Sequence, residues 1–155
     1  MSLAFLLGFA AAATPACPDA PSDRVYSLGM TVHGHSVGGL AVVSTTPDSF
    51  TLVALAPTGP ELFSIQRHGE ATTIDSPLPE WKPWLARIPF ERDLGLVSPP
   101  LVGSCTTPAG RVHVRDHRRR WRGAGGPARA AQQADGRWVL HDPWRGYTLT
   151  LREVG

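Results

Sequence analysis

The sequence predicts a mainly β, antiparallel fold in a single domain, and three observations carry that expectation. Short β-branched or alternating segments recur between turn-forming residues along most of the chain. Gly 16 and Pro 15 together make one residue in five of 155, which favours short elements joined by many turns. Only the stretch from Trp81 to Leu94 has apolar residues at helical spacing, so a parallel sheet with helical crossovers is disfavoured.

Taken in order, Arg24 to His33 has the pattern of a first strand, Gly34-His35 of a corner, and Val37 to Thr45 of a second strand. Thr46-Pro47-Asp48-Ser49 is a turn, because Pro fixes φ and the Asp and Ser side chains bond the local backbone. Phe50 to Ala56, Glu61 to Arg67 and Ala71 to Asp75 follow as strands, separated by Pro57-Thr58-Gly59-Pro60 and by His68-Gly69-Glu70. Strands of this length and spacing form a meander. Trp81, Trp84, Leu85 and Ile88 then predict one short amphipathic helix, with Pro83 tolerated in its first turn and Pro89 ending or kinking it. Leu96 to Gly110 is expected to be a loop punctuated by Pro and Gly. Strands return at Arg111 to Trp121, Ala128 to Ala134, Trp138 to His141 and Tyr147 to Arg152, with Asp135-Gly136 as a hairpin turn. The expected total is about nine strands and one helix.

Ser2 to Ala13 is nearly unbroken apolar sequence leading into Thr14-Pro15-Ala16-Cys17. A membrane-spanning helix takes about 20 apolar residues, so this run of about a dozen fits the core of a signal peptide instead. The expected organisation is a signal peptide over 1–17 ending at a lipidated Cys17, a tether over 18–23, and one β-rich domain over 24–155. Cys17 and Cys105 are the only cysteines, and an exported chain can pair them as a disulfide. A thioether-linked lipid on Cys17 excludes that pairing and leaves Cys105 a lone buried thiol. The formal net charge of +2 names no partner, although Lys82 is the only lysine among the 15 basic residues.

Three constellations bear on chemistry. Gly34-His35-Ser36-Val37-Gly38 matches the G-x-S-x-G elbow of α/β-hydrolases, with Asp116 and His141 following in the order Ser, Asp, His. The elbow needs a strand before the serine and a helix after it, whereas β-branched residues follow here, so a glycine-rich hairpin turn is the expected context. His33 and His35 stand at i and i+2, a spacing that can hold zinc with a third histidine, but nothing in the spacing selects His68, His113, His117 or His141 as that third ligand. No metal and no cofactor is expected. The third is a basic run of Arg111, Arg115, Arg118, Arg119, Arg120 and Arg122 with His113, His117 and Trp121. Read as one strand, it sets Val112 and Val114 on one face and His113, Arg115, His117 and Arg119 on the other. A solvated outer face is the plainest account; for an exported chain, anionic lipid headgroups are a better alternative than nucleic acid.

Ser49 to Ile65, Ser-Phe-Thr-Leu-Val-Ala-Leu-Ala-Pro-Thr-Gly-Pro-Glu-Leu-Phe-Ser-Ile, is a strand ending in Pro-x-Gly followed by a strand opening on a Leu-Phe pair. With the closing Gly146-Tyr147-Thr148-Leu149-Thr150-Leu151, it resembles a family of small bacterial outer-membrane lipoproteins related to LolB, the lipoprotein-localisation factor. The resemblance implies an unclosed antiparallel half-barrel around an apolar cavity with a short helical lid, lipid-anchored at the periplasmic face of the outer membrane. It also implies ligands such as acyl chains or lipid-like products, and other envelope proteins as partners. Of site residues it carries over only Cys17.

The expected function is thus lipid or acyl-chain binding without catalysis. The ligand face is expected at Phe50, Leu52, Phe63, Ile65, Trp81, Trp84, Leu85 and Ile88, which strand and helix periods gather on common faces. The alternatives are a structural or interaction lipoprotein with a solid core, and a serine hydrolase using Ser36.

Overall fold

The computed structural model describes residues 13–19, 21–98 and 101–154. Most of the expected signal peptide, residues 1–12, lies outside them. Eleven strands form one sheet: β1 Asp23–Val32, β2 His35–Thr45, β3 Ser49–Leu55, β4 Glu61–His68, β5 Ala71–Asp75, β6 Cys105–Thr107, β7 Gly110–Arg115, β8 Arg118–Gly123, β9 Ala128–Gln132, β10 Trp138–Asp142 and β11 Tyr147–Glu153. Their spatial order is β5-β4-β3-β2-β1-β11-β10-β9-β8-β7-β6, and the neighbouring strands pair antiparallel. Two meanders, β1 to β5 and β6 to β11, are thereby sewn together where β11 pairs β1. The edges β5 and β6 do not meet, so the sheet is an open half-barrel.

Strand alternation decides which face is apolar. Along β1, Arg24, Tyr26, Leu28, Met30 and Val32 are buried at every second position. Phe50, Leu52 and Ala54 of β3 and Tyr147, Leu149 and Leu151 of β11 point to the same face. Burial of each large apolar group contributes about 1.5 to 3 kcal/mol, so a one-residue slip of any strand would be costly.

The chain linking β5 to β6 covers that face. It carries a 3-10 turn, Pro79–Trp81, running into α1, Lys82–Leu85, and then α2, Phe90–Val97. The predicted helix is present but stops before Pro89, which lacks an amide hydrogen and instead occupies the N-cap of α2. In α2, Phe90, Leu94 and Val97 form a buried stripe at i, i+4 and i+7, joined by Leu96. The sequence expectation had begun a loop at Leu96.

Two further differences have local causes. The basic run predicted as one strand, 111–121, is a hairpin: Asp116, at φ 54°, turns the chain between β7 and β8. Within the predicted loop, Cys105–Thr107 pairs with Arg111, Val112 and Gly110 as the short edge strand β6.

The expectation for Cys17 is corrected most sharply. Ala16 forms a parallel bridge to Thr106, Cys17 N–H donates to Thr106 O at 2.8 Å, and Thr106 N–H donates to Pro15 O at 2.9 Å. This pairing uses the free edge of β6 and brings the Cys17 and Cys105 Cα atoms to 4.8 Å, where their sulfurs are bonded. A sulfur so bonded carries no thioether lipid, and Cys105 is no free thiol. Residues 14–17 therefore belong to the fold, rather than ending ahead of an 18–23 tether.

Candidate functional site

The eight residues expected to face a ligand come together, but as packed material. Phe50, Leu52, Phe63, Ile65, Leu85 and Ile88 are buried in one hydrophobic cluster with Phe90, Leu94, Leu96 and Val97 of α2. Phe63 is 0% exposed, and its ring centroid lies 5.6 Å from that of Phe90. Trp81 and Trp84 pack against the cluster from the outside, half-buried, with ring centroids 5.3 Å apart. The inner face of the half-barrel is therefore filled by its own helical cover in this state.

Sequence reasoning missed how that cover is fastened. The Arg92 guanidinium, from α2, donates to Asp93 Oδ1 at 2.9 Å and to Asp142 Oδ2 at 2.9 Å. It also donates to Tyr147 Oη at 2.9 Å and to the carbonyls of Gly125 and Gly126 at 2.6 and 3.0 Å. Tyr147 Oη in turn donates to Asp93 Oδ2 at 2.6 Å. A second tie is Arg119, which donates to Leu96 O at 2.9 Å and lies over the Trp138 ring at 4.4 Å. Tyr26 and Ser98 share a hydroxyl hydrogen bond, and Arg67 grips Glu91 through two bonds of 2.8 Å. The only advance sign was Asp93 within an otherwise helical apolar stripe, which requires a buried partner.

Perturbed acids and bases often mark active sites, and this cluster is perturbed. Burial pushes the Asp93 carboxyl above its ordinary range against the pull of Arg92. Asp142 is also desolvated, but hydrogen bonds from Arg92 and Arg145 outweigh that and hold it below. Tyr147 is raised strongly by burial and by Asp93. Yet the Asp93 and Asp142 side chains are wholly buried and Arg92 nearly so, which leaves a substrate no approach. The network is a structural fastening.

The two carboxylates affect stability in opposite senses. Asp142, with a lowered folded pKa, contributes stability that is present above the ordinary carboxylate pKa and is lost as pH falls through its folded value. Asp93, with a raised one, contributes stability that is present at low pH and is lost as pH rises through its folded value. Asp142→Asn is expected to cost about 3 kcal/mol by removing a buried charge partner of Arg92, and to flatten the acid limb of the stability curve. Asp93→Asn should cost about 1 kcal/mol, because a neutral group already suits that position better. Urea unfolding of both variants across acidic pH checks the order, and equal costs would refute it.

The hydrolase and zinc constellations do not assemble. Ser36 lies in β2 opposite Thr31, its hydroxyl 3.4 Å from that of Thr31. His141 Nδ1 bonds Thr148 Oγ1 at 3.0 Å, and β11 and β1 separate His141 from Ser36. Three strand intervals amount to about 14 Å, too far for direct proton transfer. Gly39 is required by close approach: an added Cβ would meet the Leu55 carbonyl oxygen at 1.9 Å. His33, at φ 48°, and Gly34, at φ 80°, form the β1–β2 turn, so His33 and His35 are not neighbours on one face of a strand. Among the described residues, no three His, Cys, Asp or Glu side chains group as metal ligands.

The outer face gains what the hairpin at Asp116 rearranges. Arg119 turns inward, while cross-strand register sets His113, Arg120, Arg129 and His141 in one row across β7, β8, β9 and β10. A second row holds Arg115, Arg118, Ala131 and Val139, and Arg122 stands opposite Arg111. The two rows, with Arg122, line a cleft of about 720 Å³.

The molecule is thus an open antiparallel half-barrel with a helical cover over its inner face and a basic cleft on its outer one. Over residues 27–155 it matches the family described as "Protein of unknown function (DUF3261)", and the chain belongs to that family. No curated protein matches the chain.

Proposed function

We propose that this protein binds lipid or acyl chains on the inner face of its half-barrel, without catalysis, at the periplasmic side of a bacterial outer membrane. The observation that carries the reading is the construction of the cover. The apolar face of one open sheet is closed by short helical segments broken at Pro89, not by further strands. Several of its fastenings are polar, namely Arg67 to Glu91, Tyr26 to Ser98 and Arg119 to Leu96. Exposed bonds of this kind exchange for water when a helix lifts, so exposing the face costs mainly apolar burial together with the buried tie of Arg92 to Asp142. Membership in the LolB-related lipoproteins, suggested by the Ser49 to Ile65 pattern, fits this reading, with other envelope proteins as partners. Attachment through Cys17 is not part of it, because that sulfur is bonded to Cys105.

A second reading, a structural or interaction protein with a permanently solid core, is favoured by the complete burial of Phe63, Leu85 and Leu94. Titration with a fluorescent fatty acid separates the two. Wild type should bind saturably, and Arg67→Ala, which frees α2 from β4 at the surface, should bind up to about fivefold more tightly. If neither protein binds the probe, the solid-core reading stands.

A further inference from the structure

The outer cleft is built against its own stability. Arg120 lies directly opposite His113 on one side and Arg129 on the other, and Arg129 lies opposite His141. Directly opposed cross-strand residues have Cβ atoms about 5 Å apart, where like charges are destabilising. Among the described residues, none of Arg115, Arg118, Arg120, Arg122 and Arg129 forms an ion pair. Of the acids near these strands in sequence, Asp116 joins β7 to β8, Asp135 pairs with Arg137, and Asp142 is buried against Arg92. A concentration of guanidinium groups without anions is the charge pattern that an anionic partner completes.

The surroundings narrow the partner. The cleft has an apolar part, Ala131 and Val139, beneath its arginine walls, which suits a phosphate ester with an aliphatic backbone. At the Arg122, Arg129 and His141 end of these strands, the β10–β11 turn carries Trp144, 82% exposed. An exposed indole beside a basic face is the pairing that seats at a membrane interface, the ring at headgroup level and the cations on phosphate.

We propose that the outer face of β7 to β10 docks on an anionic bilayer surface, with the arginine cleft taking the phosphate of an anionic lipid headgroup. The site lies on the opposite face of the sheet from the proposed acyl-chain site and does not depend on it. Docking brings the protein to a membrane; it does not require the inner face to open.

Flotation with vesicles of equimolar phosphatidylglycerol and phosphatidylcholine, against phosphatidylcholine alone, tests this with the full folded chain. Wild type should float only with the anionic vesicles, and the association should largely vanish as salt rises from about 0.1 M to about 1 M, where the Debye length falls from about 10 Å to about 3 Å. Arg120→Glu should weaken binding at least tenfold, since each basic residue near such a surface contributes about 1 kcal/mol and this change removes one and adds an opposing charge. It should leave the melting temperature equal or higher, because Glu would face His113 and Arg129, so lost binding cannot be lost folding. Arg87→Glu, the same charge change on the exposed side of the helical cover, should alter binding less than twofold. Equal loss in both variants, or equal flotation with neutral vesicles, would overturn the proposal. So would displacement by millimolar inorganic phosphate at fixed ionic strength, which would mark a site for free phosphate, or tighter binding to a short DNA duplex than to the vesicles.

Discussion

Reducing the Cys17–Cys105 bond, or replacing either cysteine by serine, is expected to lower stability by about 4 to 5 kcal/mol. The bond joins residues 88 apart in sequence, and closing a loop of that length removes about this much conformational entropy from the unfolded chain. The native state should change little, because Cys17 N–H and Ala16 hold the segment to β6 and Arg111 of β7 bonds Thr14, independently of the disulfide. Guanidinium unfolding under oxidising and reducing conditions should therefore show a large shift in midpoint for wild type and almost none for Cys105→Ser. Alkylation of the denatured, unreduced chain should label neither cysteine. Full labelling of Cys105, with a lipid mass on the N-terminal peptide, would restore the lipid-anchor expectation and remove the disulfide from the account.

That pairing marks a limit on what the sequence can convey. Two cysteines following a short apolar run allow either chemistry, and the deciding fact, a parallel bridge between Ala16 and Thr106, is a long-range contact with no local pattern. The meander from β1 to β5 was legible because β1, β3 and β4 alternate and each turn carries Pro, Gly or Asp, the residues that favour turns. The second meander was harder to parse. Between Arg115 and Arg118 the turn uses Asp116-His117, with Asp116 in the left-handed region, and no glycine announces it. Missing that turn inverted the faces: Arg119, read as solvent-facing, is the buried residue that holds α2 through Leu96 O.

The candidate sites divide along the same line. The composition of the inner face was legible from strand and helix periods, which correctly gathered Phe50 with Leu52 and Phe63 with Ile65. What covers it was not, because α2 begins directly after Pro89, and its membership in the core rests on tertiary contacts with β8 and β9. The Arg92, Asp93, Asp142 and Tyr147 network joins residues 50 or more apart; such a fastening becomes visible only when the half-barrel brings β10 and β11 under α2. The basic run was visible from the sequence, but its ordered rows depend on Arg129 and His141 arriving from strands further along the chain.

The cover's own anatomy supplies the remaining large effect. Phe63→Ala is expected to cost about 4 kcal/mol, and Trp84→Ala about 1 to 2 kcal/mol, although tryptophan is the larger side chain. Phe63 is fully enclosed between the sheet and Phe90, so its truncation leaves a cavity whose walls can relax only in part. Trp84 is half-buried at the outer surface of α1, its ring tilted against that of Trp81; its loss exposes some apolar surface but opens no enclosed void. The two substitutions should also part company in binding. If the inner face binds an acyl chain as proposed, Trp84→Ala thins its cover, so release of a bound fluorescent fatty acid should quicken, with affinity changed only modestly. Phe63→Ala enlarges the space available once the cover lifts, and should strengthen binding of the same probe relative to wild type even as the fold weakens. Urea unfolding gives the stability order, and stopped-flow displacement gives the release rates. A Trp84→Ala cost equal to that of Phe63→Ala, with no change in release, would mean that the helical cover is a fixed part of the core and that the inner face does not open to a ligand.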